Sequence, residues 1–216
     1  LYRKIKLFFF KNLIYYCDVF IAQSNVIKSR LEDLYDVKST KVIEMGYEND
    51  FVGNSVNIKD SIDYLKNEIV LIYPTRYYPH KNVEILIDVA RIIKERRLPI
   101  TIYCTVDKNQ HVNVNKLFMQ VKKNGLEKVF ILTGKLNRND FRKLFRNASG
   151  LIMPTLLETF GIPYIEAIAS NKLIFTSDLD FAHTTCGEAA FYFNPHSAIN
   201  IVDVITSAYD NPKKLK

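Results

Sequence analysis

From Glu68 onward, short apolar runs alternate with longer amphipathic stretches, and that alternation restricts the chain to very few architectures. Ile69-Val70-Leu71-Ile72-Tyr73 reads as a buried strand, Asn82 to Arg97 as an amphipathic helix and Ile100 to Thr105 as the next strand. The pattern continues with Asn113 to Asn124 as helix, Val129 to Leu132 as strand and Asn139 to Asn147 as helix, the last capped by Asn137 or Asn139. Gly150 to Met153, Ile162 to Ser170 and Leu173 to Thr176 then read as strand, helix and strand. Strands separated by helices have room for the crossovers that parallel neighbours require. The expectation is an α/β fold with a Rossmann-like, doubly wound parallel sheet, in which ligands bind outside the carboxyl ends of the strands.

Residues 1–50 follow a less complete pattern: a basic, aromatic helix to Tyr16, a strand over Asp18 to Gln23, a helix opened by Ser24 and a strand over Lys41 to Glu44. Ser24 is a good N-cap, and Ile27, Leu31, Leu34 and Tyr35 recur on one helical face. Gly46 to Asn57 is polar and turn-rich, as a linker between packed units is. The expected organisation is residues 1–50 as the end of a preceding lobe with its linker, 51–197 as the ligand-binding domain, and 198–216 as a C-terminal helix that is cut short. A start at Leu1 and an end in the run Pro212-Lys213-Lys214-Leu215-Lys216 suggest a piece of a longer protein.

Composition excludes several classes. The hydrophobic share of 48% and charged share of 25% are those of a globular domain. The longest apolar runs fall far short of the ~20 residues of a membrane span. Cys17, Cys104 and Cys186 are odd in number and lack a Cys-x-x-Cys spacing, so neither disulfides nor a zinc site are expected, and a cytoplasmic location fits. His80, His111, His183 and His196 lack ligand spacing, so no metal is expected. The net charge of +7 favours an anionic partner. Scattered Lys and Arg with acidic residues between them argue against nucleic acid. The Tyr2 to Tyr15 stretch, with Arg3, Lys4, Lys6 and Lys11 around Phe8, Phe9 and Phe10, suits either an acidic membrane surface or a helix packed in the preceding lobe.

The chemistry concentrates in two segments that each follow a β-run and precede a helix: Pro74 to Lys81, and Pro154 to Glu166. In the second, Gly161 permits close backbone approach and Pro163 suits a first helical turn, so the N–H groups near Thr159 to Ile162 are available to an anion. Arg76 offers a fork of donors and Lys81 a compact ammonium, a pair suited to a diphosphate. Glu158 and Glu166, eight residues apart, are placed to grip two parts of one hydroxyl-bearing ligand.

The run Pro154 to Ala167 resembles the signature of retaining glycosyltransferases of family 4, enzymes of the GT-B fold. Arg76 to Asn82 resembles that family's phosphate loop, Leu132-Thr133-Gly134-Lys135-Leu136 its nucleobase loop, and Cys186 to Pro195 its closing strand. The resemblance implies that Arg76 and Lys81 bind the donor diphosphate and stabilise its departure. It further implies that Glu158 touches the donor sugar, Glu166 holds the ribose, Lys135 and Leu136 flank the base, and Thr159, Phe160 and Gly161 lend backbone donors. The implied reaction moves a sugar from a UDP- or GDP-linked donor to a hydroxyl of a glycan or lipid-linked acceptor, with retention and without a required metal or cofactor. Thr159 stands where the family favours Gly, and Asn171-Lys172 replaces a usual Gly-x-Pro, Asn being able to adopt a left-handed cap. A sugar-nucleotide epimerase of related fold and a non-catalytic binding subunit are the rival readings.

Overall fold

The computed structural model of the chain describes residues 2–37, 39–46 and 68–210. It comprises two compact units, residues 1–46 and 47–216. Apart from Gly46, the expected linker over 46–57 lies outside the described residues, as does the Lys-rich end.

In the first unit α1 (Tyr2–Leu13) runs into a 3-10 turn (Ile14–Tyr16), followed by β1 (Phe20–Ala22), α2 (Asn25–Tyr35) and β2 (Thr40–Val42). β1 and β2 pair in parallel, Phe20 opposite Thr40, with α2 as the crossover. Both strands are three residues long, shorter than the apolar pattern suggests. Ser24 caps α2, its Oγ accepting from the Ile27 N–H at 3.3 Å, and Asp36 closes it in the left-handed region at φ 51°. Phe10 sets its ring edge-on to Tyr35, whereas Phe8 and Phe9 are exposed.

The second unit is built on β3 (Ile69–Tyr73), β4 (Ile100–Cys104), β5 (Phe130–Leu132), β6 (Gly150–Met153), β7 (Leu173–Ser177) and β8 (Phe191–Phe193). All six are parallel, in the order β5-β4-β3-β6-β7-β8. Between them lie α3 (Ile85–Glu95), α4 (Val112–Lys123), α5 (Arg138–Asn147), α6 (Ile162–Ala169) and α7 (Asp180–Cys186), with α8 (Ala198–Asp210) after β8. The order runs outward from β3 in one direction and outward from β6 in the other. Right-handed crossovers then send the helices of the two halves to opposite faces, and the sheet is doubly wound.

Burial explains why the strands read as unbroken apolar runs. Every residue of β6 is buried, and Leu71, Ile72, Tyr73 and Ile102 are almost wholly removed from solvent. α3 contributes Leu86, Ile87, Val89, Ala90 and Ile93 to the same core, its larger aliphatic side chains each worth about 1.5–3 kcal/mol. α8 packs against α3 and β8. Two readings of local detail are resolved here. Asn137 rather than Asn139 caps α5, its side-chain oxygen accepting from the Asp140 N–H at 2.9 Å. Asn171 takes the left-handed conformation expected of it, at φ 50°.

The helix expected from Asn82 begins three residues later. Pro79–Lys81 form a 3-10 turn that ends on Asn82 at φ 52°, a left-handed conformation that cannot continue a helix.

Candidate functional site

The reversal of strand order lies between β3 and β6, so the segments leaving their carboxyl ends face a common crevice. Those segments are the two singled out by sequence. The ends of β3 and β4 are locked together first. The Thr75 N–H donates to Thr105 Oγ1 at 2.9 Å, and that hydroxyl donates back to the Thr75 carbonyl at 3.0 Å. The chain then turns through Arg76, which is exposed, and Tyr77, whose N–H donates to Gln110 Oε1 at 2.9 Å. Tyr77 is itself held by a hydrogen bond to Glu84, by the Asn113 amide at 3.1 Å and by stacking on His111.

The second loop is tied to the first at several points. Lys81 Nζ meets Glu158 Oε1 at 2.6 Å, an ion pair across 77 residues of sequence whose side chains are only 18% and 10% exposed. The Leu156 N–H donates to the His80 carbonyl at 2.7 Å, and the fully buried Thr155 hydroxyl donates to the same oxygen at 3.1 Å. Asn82 donates to the Pro154 carbonyl at 3.0 Å and to the Pro195 carbonyl at 2.8 Å, drawing the ends of β6 and β8 onto the β3 loop. The buried Tyr73 hydroxyl donates to the Lys81 carbonyl at 2.7 Å from beneath.

α6 starts at this junction. Gly161, at φ 80°, is its N-terminal cap, and a Cβ there would lie 2.5 Å from a ring carbon of Tyr164. That ring cannot yield easily, being fully buried with its hydroxyl bonded to Thr176 Oγ1 at 2.7 Å. Phe160 is buried, its carbonyl accepting from Thr185 Oγ1 at 3.0 Å; Thr159 is exposed and Glu166 partly buried on α6.

A cleft of about 670 Å³ opens beside the first loop. Pro74, Thr75 and Arg76 form one side, Thr105 and Asp107 extend from β4, and Lys135, Leu136 and Phe141 close it beyond β5. Arg76, Lys135 and Leu136 therefore share one cleft, while Lys81 and Glu158 meet each other at the β3–β6 junction. Glu158 and Glu166 are not among the residues lining that cleft.

The electrostatics follow from these positions. Burial pushes the Tyr73 and Tyr164 hydroxyls well above the usual phenol range, so both remain neutral donors. Burial lowers the His80 pKa, the Lys81 charge lowers it further, and Glu158 opposes both. The backbone N–H groups of Asn109 and Lys135 hold the Asp107 carboxyl below the ordinary carboxylate range. Among the described residues, no cluster of three or more His, Cys, Asp or Glu side chains is arranged to hold a metal ion.

A β-α fold whose two loops converge in this way invites comparison with known proteins. Residues 56–216 match the family model for glycosyl transferases group 1. The chain belongs to that family. Among curated relatives of this group 1 chain, the O-antigen chain mannosyltransferase RfbU of Salmonella typhimurium is 27% identical over 188 residues, which cover 87% of this chain and 50% of RfbU. The serotype-specific mannosyltransferase WbdA of Escherichia coli is 26% identical over 134 residues, 16% of its own length. Among solved structures, a glycosyltransferase from Rickettsia africae matches with a TM-score of 0.77 at 20% identity, over 96% of this chain and 59% of its own. Anabaena HepE, solved in complex with UDP and glucose, matches with a TM-score of 0.73 at 20% identity, over 92% of this chain and 55% of its own. At these identities the structural likeness speaks for the GT-B fold, and the group 1 chain spans half or slightly more of the length of RfbU and of these two solved proteins, and far less of WbdA.

Sequence reasoning gave no individual role to four residues that shape the site. Asn82 was legible only as part of a phosphate-loop resemblance, although Asn tolerates the left-handed region better than most residues do. Asp107 carried no motif. Thr75 and Thr105 are ordinary strand-end residues until their strands are known to be neighbours.

Proposed function

We propose that this chain is the donor-binding lobe of a glycosyltransferase that moves a sugar from a nucleotide-sugar donor to an acceptor hydroxyl with retention. The observation that carries the reading is the Lys81–Glu158 pair at the β3–β6 crevice, with Arg76 on the same loop lining the adjoining cleft. Arg76 and Lys81 bring two cations to the site of a diphosphate, and the three N–H donors of Lys81 serve both Glu158 and a phosphate oxygen. Negative charge grows on the diphosphate as it leaves, so fixed cations stabilise that state more than the intact donor, with no metal needed.

Glu158, held beside the diphosphate by Lys81, accepts hydrogen bonds from hydroxyls of the donor sugar. The partly buried Glu166 on α6 takes the ribose hydroxyls. Thr159, Phe160 and Gly161 supply backbone N–H donors at the start of α6, and Lys135 and Leu136 flank the base. The acceptor is a glycan or a lipid-linked sugar, and the enzyme works in the cytoplasm or on a membrane's cytoplasmic face. The relatives support this reading through their names as mannosyltransferases and through HepE, which holds UDP and glucose.

Titration calorimetry of the chain with nucleoside diphosphates and with the matching nucleosides tests the reading. Arg76→Ala should weaken a diphosphate by the ~1.5–3 kcal/mol of a charge-assisted contact and leave the nucleoside unchanged. Equal losses for both, or no binding by any nucleoside diphosphate, would remove Arg76 and the crevice from this role.

A further inference from the structure

The cleft wall contains one ionised side chain that the donor-site reading leaves without a task. Asp107 lies three residues beyond the end of β4, and its carboxylate is spanned between two loops. Oδ1 accepts from the Asn109 N–H at 2.8 Å, and Oδ2 accepts from the Lys135 N–H at 3.4 Å. One anchor belongs to the loop after β4 and the other to the loop after β5, so the plane of the carboxylate is set by both. A carboxylate has about four lone-pair positions, and two are taken by these anchors. The backbone donors also keep the group ionised at neutral pH, since they hold its pKa down.

Its place along the sheet says which part of a nucleotide it meets. Parallel strands are about 4.8 Å apart. Moving from the β3–β6 crevice over β3 to β4 and then β5 carries a ligand away from Arg76 and Lys81 by roughly 5 and 10 Å. A nucleotide whose diphosphate sits at the crevice and whose remainder follows the cleft therefore ends its base between Asp107, Lys135 and Leu136. Leu136 and Phe141 give that end of the cleft apolar surface against a ring face.

From this placement we infer that Asp107 selects the donor's base and that the base is guanine, an inference that rests on the donor-site reading. Guanine presents two adjacent parallel donors, N1–H and the 2-amino group, which match the two oxygens of one carboxylate. Uracil presents a single N3–H between two carbonyl oxygens, so one carboxylate oxygen gains a bond while the other faces a lone pair. Adenine and cytosine offer one amino group beside a ring-nitrogen acceptor and meet the same mismatch. An acceptor covered by the bound base and left facing a lone pair discriminates between ligands, because the penalty falls on the wrong one.

Calorimetric titration with GDP, IDP and UDP, on the wild-type chain and on Asp107→Asn and Asp107→Ala, tests the inference. The wild type should bind GDP at least about tenfold tighter than UDP, the equivalent of one charge-assisted hydrogen bond, with IDP, which lacks the 2-amino group, between them. In both variants the GDP preference should fall to about threefold or less, with UDP affinity held within about twofold. UDP binding the wild type as tightly as GDP, or an equal loss for both nucleotides in the variants, overturns the base assignment and leaves the diphosphate site standing. No binding by any of the three overturns the donor-site reading itself. The wild-type order needs no substitution, so it decides the matter even if a variant fails to fold.

Discussion

Replacing Asn82 removes the tie that holds three strand ends together, and its cost can be worked from the structure. The side chain donates to the carbonyls of Pro154 and Pro195, both of which are buried residues. Each bond is worth about 1 kcal/mol net, so Asn82→Gly, which keeps the left-handed backbone free of strain, should cost about 2 kcal/mol. For a domain of this size that lowers the thermal midpoint by about 4–8 °C. Asn82→Ala loses the same bonds and, unlike the Gly variant, keeps a Cβ in the left-handed conformation, which places it roughly 1 kcal/mol below that variant. The order of stability should be wild type, then Gly, then Ala, measured by calorimetric unfolding. Both variants should also bind nucleoside diphosphate more weakly, because Lys81 is the next residue and meets Glu158 only if the two loops stay in register. A Gly variant within a degree of the wild type would refute the tie, and unchanged nucleotide affinity would refute its link to the site.

Gly161→Ala should be severe, a loss above about 2 kcal/mol, because the new Cβ meets a ring that is fixed on its far side, and a melting curve reads it directly. A double-mutant cycle of Lys81→Met with Glu158→Gln should give a coupling of about 1–3 kcal/mol, between the values for exposed and buried pairs, by denaturant unfolding. His80 makes stability depend on pH with a definite sign. Its folded pKa lies below the unfolded one near 6.5, so the unfolded chain takes up the proton first as pH falls. The wild type should therefore lose stability as pH falls from about 7.5 through 6.5, and His80→Gln should show a shallower slope. Glu166→Ala should weaken ribose-containing ligands while sparing inorganic pyrophosphate, and equal affinity of the variant for a nucleotide would remove its ribose role.

The strands that carry the site were legible because burial on both faces leaves a run such as Ile69 to Tyr73 no polar position. The loops were legible for a different reason: Gly161, Pro163 and the paired charges are chemically unusual in combination. What stayed hidden depends on neighbours. The pairing of Lys81 with Glu158 spans 77 residues and exists only because β3 lies beside β6, which no local pattern encodes. α7 was missed because Leu179, its N-cap, makes no side-chain capping bond and the helix has only seven residues. The late start of the helix expected from Asn82 illustrates the same point, since a left-handed Asn is stabilised by carbonyls that follow two distant strands.

The adjacency of β3 and β6 also sets a timetable. β3, β4 and β5 can zip together through successive crossovers, but the Val70 N–H reaches Ser149 Oγ at 3.1 Å across 79 residues, the kind of closure that forms late. Until that seam closes, the chain has helices and half a sheet but no crevice. Nucleotide capture during refolding should thus lag behind the return of secondary structure, and a ligand present from the outset would act on the final docking step alone, drawing it forward by mass action.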